Sequence, residues 1–432
     1  MSELNFYKIV ALAKASGIEN HPEVEEWLEA ALQFPHEKFV VEGAAQIVGH
    51  YATQPNNYAI NPFAFRPEYL VASTSPEDGF LQGNCDNNPI YIERELRKRC
   101  EVVVGKPGTG KSTYIAQQIK QAIDKGLMVW LFDFKDEHGP LADSLGIASL
   151  KLEEMKLNPH ELLNVADAVE CFAHANLFQN ASTGFYRDAL FKTVEIYDDE
   201  IPSVQHVRKT AELMSPRKST PEGFRIDPYR RQTLLSRDRV LRALDDLLDP
   251  YGDIVDCEHG FPIKELANQS FRFNCRGVGY KEATYLIYVL LKALYNYRNE
   301  KRIQESRFDN PLKNLVVIEE AKHVVSRLME EGLKTAPAFI RKITTEVRSS
   351  GIGYIFSDQV PSDLAKSAIE SSNIVTLFRV GLKEDVSVIG GAMGIPDEHL
   401  GKVYELQDRT AITKHGEKRP IRIEIELERK RE

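Results

Sequence analysis

The sequence predicts an α/β fold built on a doubly wound, mainly parallel sheet, and three observations carry that prediction. Short β-branched or aromatic runs alternate with longer helical patterns from about residue 80 onward. These runs are continuously apolar rather than alternating, as strands covered by helices on both faces are. One of them leads through a glycine-rich loop directly into a helix.

Taken in order, residues 1–80 read as helical, with periodic apolar positions in Tyr7–Leu12 and Val24–Leu32. They are expected to form a small N-terminal domain. Turn residues at Gln54–Asn57 and Ser73–Gly79 set its boundary, leaving 81–432 for the α/β domain. Val102–Val104 is the first strand run, followed by the glycine loop and a helix over Ser112–Lys125. Val129–Phe132 is the second, ending at Asp133, and Phe271–Asn274 a weaker third. Leu315–Ile318 and Gly353–Ser357 are the fourth and fifth, with a strongly apolar helix over Ala283–Tyr297 between the third and fourth. A polar, helix-rich stretch at about 158–248 separates the second and third runs and reads as a helical insertion.

Hydrophobic residues make up 42% of the 432 positions and charged residues 28%, ordinary globular usage that excludes wholesale disorder. The five cysteines are widely spaced and lack a Cys-x-x-Cys pair, so buried free thiols are expected rather than zinc or a disulfide framework. The start lacks a basic and then apolar leader, and Lys292 interrupts the longest apolar stretch short of a membrane span. A soluble, cytoplasmic protein is the expectation. The net charge of −9 argues against a basic coat for nucleic acid. Arg208–Arg242 reverses it locally, with ten Lys/Arg against four Asp/Glu. That stretch reads either as a solvated helical face or as a nucleic-acid contact.

Gly105-Lys106-Pro107-Gly108-Thr109-Gly110-Lys111-Ser112 fits G-x-x-x-x-G-K-[ST] in full, between a strand and a helix. Glycines let the backbone curl until its N–H groups face phosphate oxygens, and the helix N-terminus adds partial positive charge. Lys111 is expected to reach the β- and γ-phosphates of ATP, Ser112 to ligate Mg2+, and Thr113 to begin packing the helix. A magnesium-dependent loop of this kind needs a carboxylate at a neighbouring strand exit, and Glu319-Glu320 follows Leu315–Ile318. Glu319 is expected to hold the metal and Glu320 to deprotonate the attacking water. Gln359, after the fifth run, is the candidate phosphate sensor. Arg341 and Arg348, on or after a helical segment from Pro337 to Arg348, are candidate fingers from a neighbouring subunit. The carboxylates, the glutamine and the arginines each have a bland alternative as exposed surface.

Positions 111 and 319 are 208 apart, more than one βαβ crossover requires. Over roughly residues 80–428 the chain resembles the HerA/FtsK superfamily of ring-forming translocases, which includes the ATPases of type IV secretion and conjugation. The resemblance rests on Asn88–Tyr91 and Glu95–Arg99 before the loop strand, Ile318–His323, Glu346–Arg348 with Gly351–Gly353, Ser357–Ser362 and Ser372–Val375. It implies a RecA-like domain, a hexameric ring, ATP with Mg2+, and DNA as the moved polymer. It also implies Glu320 as the catalytic glutamate, Gln359 as the polar sensor and Arg348 as the finger acting across subunits. The helical N-terminal stretch departs from the small β-barrel usual in HerA proteins, and Lys322 pushes the histidine of the Glu-Ala-His order to His323. A motor acting on protein remains open, as does a nucleotide-gated module that recruits a nuclease or other effector through the N-terminal domain.

Overall fold

The structure, a computed structural model, describes residues 3–15, 18, 21–53, 63, 69, 78–86, 88–198, 200–214, 228–332 and 347–425. Three helices come first: α1 (Glu3–Ala15), α2 (Pro22–Gln33) and α3 (Lys38–Thr53). Helix α2 buries Val24, Trp27 and Ala31, spaced at i, i+3 and i+7 so that they share one face.

Among the described residues eleven strands form one sheet. They are β1 (Phe80–Cys85), β2 (Asn88–Ile92), β3 (Cys100–Val104), β4 (Met128–Asp133), β5 (Ala148–Lys151), β6 (Phe271–Asn274), β7 (Asn314–Ile318), β8 (Ile352–Asp358), β9 (Ile374–Phe378), β10 (Thr410–His415) and β11 (Ile421–Glu424). The spatial order is β2-β1-β11-β10-β9-β3-β8-β7-β4-β6-β5. The run from β9 to β5 is parallel throughout. Strands β10, β11, β1 and β2 extend it antiparallel, an edge that the apolar runs did not reveal because β1 and β11 expose part of their side chains. The turn between β10 and β11 reaches the N-terminal helices, where Arg419 pairs with Glu26 at 3.5 Å and Glu23 at 3.9 Å.

Strand β3 carries a buried charge, Glu101, that fixes its approach. The carboxylate accepts from Arg97 at 2.6 Å, from Tyr114 at 2.6 Å and from Thr376 at 2.7 Å, so burial leaves it fully partnered. Arg97 itself lies on α4 (Arg94–Arg97), the short helix that feeds β3.

Helix α5 (Lys111–Asp124) follows β3, and α6 (Gly139–Ser144) follows β4. The insertion between β5 and β6 holds α7 (Pro159–Leu162), α8 (Val165–Ala175), α9 (Asn180–Ile196), α10 (Val204–Leu213), α11 (Pro228–Val255) and α12 (Ile263–Ala267). Helix α11 breaks at Tyr251, just after Pro250, where the ring cannot continue the helical hydrogen bonds. Helix α13 (Tyr280–Gln304) is buried on every side from Ala283 to Leu294. It is therefore a core helix between sheet and insertion, and Lys292 survives there by pairing with Asp167 and Glu170 of α8, each at 3.0 Å. Among the described residues no helix is long and apolar enough to cross a membrane, and Cys85, Cys171, Cys257 and Cys275 are free thiols.

Candidate nucleotide site

Parallel strands place their C-terminal ends together, and the site lies where β3, β8, β7 and β4 end side by side. The loop from Gly105 to Gly110 leaves β3 with Gly108 at φ +80° and Gly110 at φ +106°, conformations that glycine adopts without steric cost. A Cβ on Gly110 would stand 2.8 Å from the Cα of Arg409, so the position also needs the missing side chain. Thr109 tightens the turn by donating from Oγ1 to the carbonyl of Lys106 at 2.7 Å. Lys106 and Pro107 are exposed at the loop tip, and Ser112 and Thr113 open the first turn of α5.

Lys111 turns inward from the helix start and donates to Ser357 Oγ on β8 at 3.1 Å. Burial lowers its pKa, against the pull of Glu319, Asp358 and Glu320. Its ammonium therefore sits in a pocket of carboxylates.

Glu319 leaves β7 with its side chain buried and its Oε1 without a hydrogen bond. The nearest basic group is His138 Nε2, a contact at 3.2 Å that falls outside hydrogen-bond geometry. Burial acts to lower the His138 pKa, but the Glu319 charge prevails and raises it. His138 is in turn positioned by Asp133, which ends β4 and accepts the backbone N–H of His138 at 2.9 Å while Arg272 donates to the same carboxylate at 2.9 Å. A buried carboxylate oxygen lacking a donor, beside the hydroxyl-bearing start of α5, suits an oxygen-ligated cation such as Mg2+.

Glu320 is held in the left-handed region at φ +49°, which costs a non-glycine residue about 1–3 kcal/mol. Three donors surround its carboxylate: Lys135 Nζ at 2.5 Å, Gln359 Nε2 at 2.9 Å and Lys322 Nζ at 3.2 Å. Burial alone would raise its pKa, but Lys135 and Lys322 overcome that and hold it below the usual carboxylate range. Asp358, at the end of β8, ties the corner together by accepting the N–H groups of Lys322 at 2.8 Å, Gln359 at 2.7 Å and Val360 at 3.0 Å.

The structure thus brings together Lys111, Glu319, Glu320 and Gln359 at the mouth of the glycine loop. It does not bring Arg348 there. That residue lies on the short helix Val347–Ser350 ahead of β8, at the sheet edge opposite the loop, and Arg341 lies outside the described residues. Sequence reasoning passed over Lys135, His138, Asp133 and the role of Lys322. A charged cluster, Asp133-Phe134-Lys135-Asp136-Glu137-His138, directly after a buried strand is the signal that could have found the first three.

No protein-family model matches the chain. It is 26% identical over 344 residues to the DNA double-strand break repair helicase HerA of Sulfolobus acidocaldarius, covering 76% of this chain. The chain spans 65% of the length of that relative. Its fold is similar to that of VirB4 of Thermoanaerobacter pseudethanolicus, with TM-score 0.59 at 15% identity, covering 82% of this chain and 98% of that one. It is also similar to the plasmid coupling protein TrwB in complex with ADP and Mg2+, with TM-score 0.58 at 14% identity, covering 81% of this chain and 90% of that one. With its glycine loop on a RecA-like parallel sheet, the chain is similar in sequence to HerA and in fold to VirB4 and TrwB, and so resembles the HerA/FtsK superfamily of P-loop ATPases.

Proposed function

We propose that the chain is an ATP-hydrolysing motor that works as a ring and moves DNA. The observation that carries the hydrolytic part is the convergence of Lys111, Glu319, Glu320 and Gln359 on one end of β3, β7 and β8. In this reading the N–H groups of Thr109–Thr113 hold the phosphates, and Lys111 leaves Ser357 for the β- and γ-oxygens. Ser112 and Glu319 would hold Mg2+, which would supply positive charge against the phosphates. Glu320, kept ionised by its lysines, takes the proton of the attacking water, and Gln359 orients that water or reads the γ-phosphate through its contact with Glu320.

Arg348 stands at the wrong edge of the sheet for its own chain's loop, which supports its use by a neighbouring subunit and hence a closed, hexameric ring. DNA as the cargo is supported by the sequence shared with HerA, a DNA repair helicase. The exposed Lys209, Arg239 and Arg242 of the insertion would supply a backbone contact. Residues 1–80 would act as a separate module for an effector such as a nuclease, with Tyr7, Leu12 and Leu32 exposed on α1 and α2. The deciding experiment measures phosphate release by the purified chain with Mg2+ and ATP, alone and with single- or double-stranded DNA. Hydrolysis accelerated by DNA is expected. Hydrolysis indifferent to DNA would favour a protein-moving motor or an assembly timer, and no hydrolysis would overturn the reading.

A further inference from the structure

Two arginines flank the glycine loop on the side away from Glu319 and Glu320, and they are held differently. Arg379 follows β9 and is committed to structure, donating to the Leu406 carbonyl at 3.0 Å and to Asp408 at 2.8 Å. These contacts fasten the segment that precedes β10 beside the loop. Arg409 is the end of that segment. Its N–H donates to the Thr109 carbonyl at 2.7 Å, and its own carbonyl accepts Ile425 N–H at 2.8 Å. Its Cγ would lie 3.0 Å from a Cβ on Gly110, so the side chain sets out along the start of α5. Yet the residue is exposed and forms no ion pair with a described residue.

Its backbone sharpens the contrast. Arg409 takes φ +63° at the third position of the Gln407–Thr410 turn, a place where Gly or Asn would fit at less cost. The turn alone does not call for arginine.

We infer that Arg409 is a nucleotide-binding residue of its own chain's site, its guanidinium meeting the α- and β-phosphates of the bound nucleotide. The inference rests on the nucleotide reading above. Strand order assigns the phosphates. Lys111 points toward β8 and the carboxylates lie beyond it on β7, so the γ-phosphate belongs on that side of β3. Arg409 enters from the β9–β10 side, where the inner phosphates remain. A planar, permanently charged guanidinium suits two phosphate oxygens at once. Because both ADP and ATP carry those oxygens, Arg409 should bind the two alike.

The test uses the full chain and its Arg409→Gly and Arg409→Asn variants, both of which tolerate the left-handed turn. Binding of fluorescent ADP and of a non-hydrolysable ATP analogue is titrated in the presence of Mg2+, and melting temperature is recorded. Both variants are expected to melt at or above the wild-type temperature while losing at least about tenfold in affinity for both nucleotides, as befits one hydrogen bond to a charged group. KM for ATP should rise by a similar factor while kcat stays within about twofold of wild type, the mark of binding shared by ground and transition states. Wild-type affinity in both variants would overturn the inference and leave a turn residue only. Loss confined to the ATP analogue would overturn the assignment to the inner phosphates. Absence of nucleotide binding by the wild-type chain would be a different failure, removing the nucleotide reading and this inference with it.

Discussion

Lys135 Nζ stands 2.5 Å from Glu320 Oε1, joining the exit of β4 to the exit of β7. The pair is half open to solvent on the lysine side, and Gln359 Nε2 shares the same carboxylate oxygen at 2.9 Å. The carboxylate assigned the proton-abstracting role is thus aimed by a residue that no motif singles out.

Lys135→Ala is expected to lower kcat about tenfold while leaving nucleotide affinity within about twofold, because the variant misplaces a reacting group without touching the phosphate cradle. Lys322 and Gln359 remain to hold Glu320, so the fold should persist. Steady-state hydrolysis with a parallel nucleotide titration measures both. An increased rate in the variant would reveal Lys135 as a restraint on Glu320 instead.

Lys111→Ala and Glu320→Gln should separate binding from chemistry. The first removes the cation at the phosphates and is expected to abolish binding or hydrolysis in a folded chain. The second keeps the cradle, so ATP should bind and persist unhydrolysed, with kcat reduced by a factor on the order of 10²–10⁴. Loss of ATP binding in Glu320→Gln would assign that residue another role.

Val102–Val104 and Leu315–Ile318 are buried strands in a parallel sheet, so their apolar runs announce both the strands and the fold class. The loop could be named because its chemistry demands particular residues at fixed spacing, and Glu319-Glu320 because such a loop needs a carboxylate at a neighbouring strand exit. The antiparallel edge was hidden because its strands mix polar and apolar positions. Gln82 on β1 is polar and buried, donating to Thr376 at 2.9 Å and to Thr413 at 2.8 Å. Lys135 was marked only by the charged cluster after β4, whereas Arg409 comes beside the glycine loop through the order of β3, β9 and β10, which no local pattern encodes.

Acidification should destabilise the chain through buried neutral histidines. His160 has its Nδ1 3.1 Å from the Pro202 carbonyl, and burial pushes its pKa down to about 4. His415 has its Nε2 2.8 Å from Gln82 Oε1, with burial first and Lys418 and Arg97 adding to a fall to about 3. Unfolded histidine titrates near 6.5, so between that value and the folded pKa only the unfolded chain takes the proton. Stability is therefore intact above about pH 6.5 and falls as pH drops toward 4, by up to about 1.4 kcal/mol per pH unit for each histidine. The melting temperature should decline from pH 7 to pH 5, and less steeply in a His160→Asn, His415→Asn double variant. Equal slopes in the two proteins would dismiss these histidines as the cause.

If Arg348 serves a neighbouring site, hydrolysis must depend on assembly. Arg348→Ala and Glu320→Gln subunits are each expected to be inactive alone. Mixed rings should recover part of the wild-type rate, because some interfaces then combine an intact Glu320 with an intact Arg348. Complete inactivity in rings verified to be mixed would remove Arg348 from the finger role.

DNA capture by the insertion can be tested on side chains whose surroundings single them out. Within Arg208–Arg242, Arg208 pairs with Asp245 and Glu212, each at 2.7 Å, and Arg237 pairs with Asp238 at 3.6 Å and donates to the Glu212 carbonyl. Those two arginines hold helices α10 and α11 together, so reversing them would confuse folding with binding. Residues 215–227 lie outside the described residues, as do the side chains of Arg230 and Arg231. Lys209, Arg239 and Arg242 are exposed and form no ion pair with a described residue. Their combined reversal to glutamate is expected to weaken DNA binding and DNA-stimulated turnover while sparing basal hydrolysis, because the phosphate site lies on the sheet. Each lost phosphate contact removes about 0.9 from the slope of log affinity against log salt on duplex DNA, so three contacts should flatten it by roughly 2.7. The net charge of −9 makes such concentrated contacts necessary, since the rest of the surface repels a polyanion. Unchanged affinity and an unchanged salt slope in the triple variant would move DNA contact away from the insertion, and a wild-type chain that binds no DNA would end the DNA reading altogether.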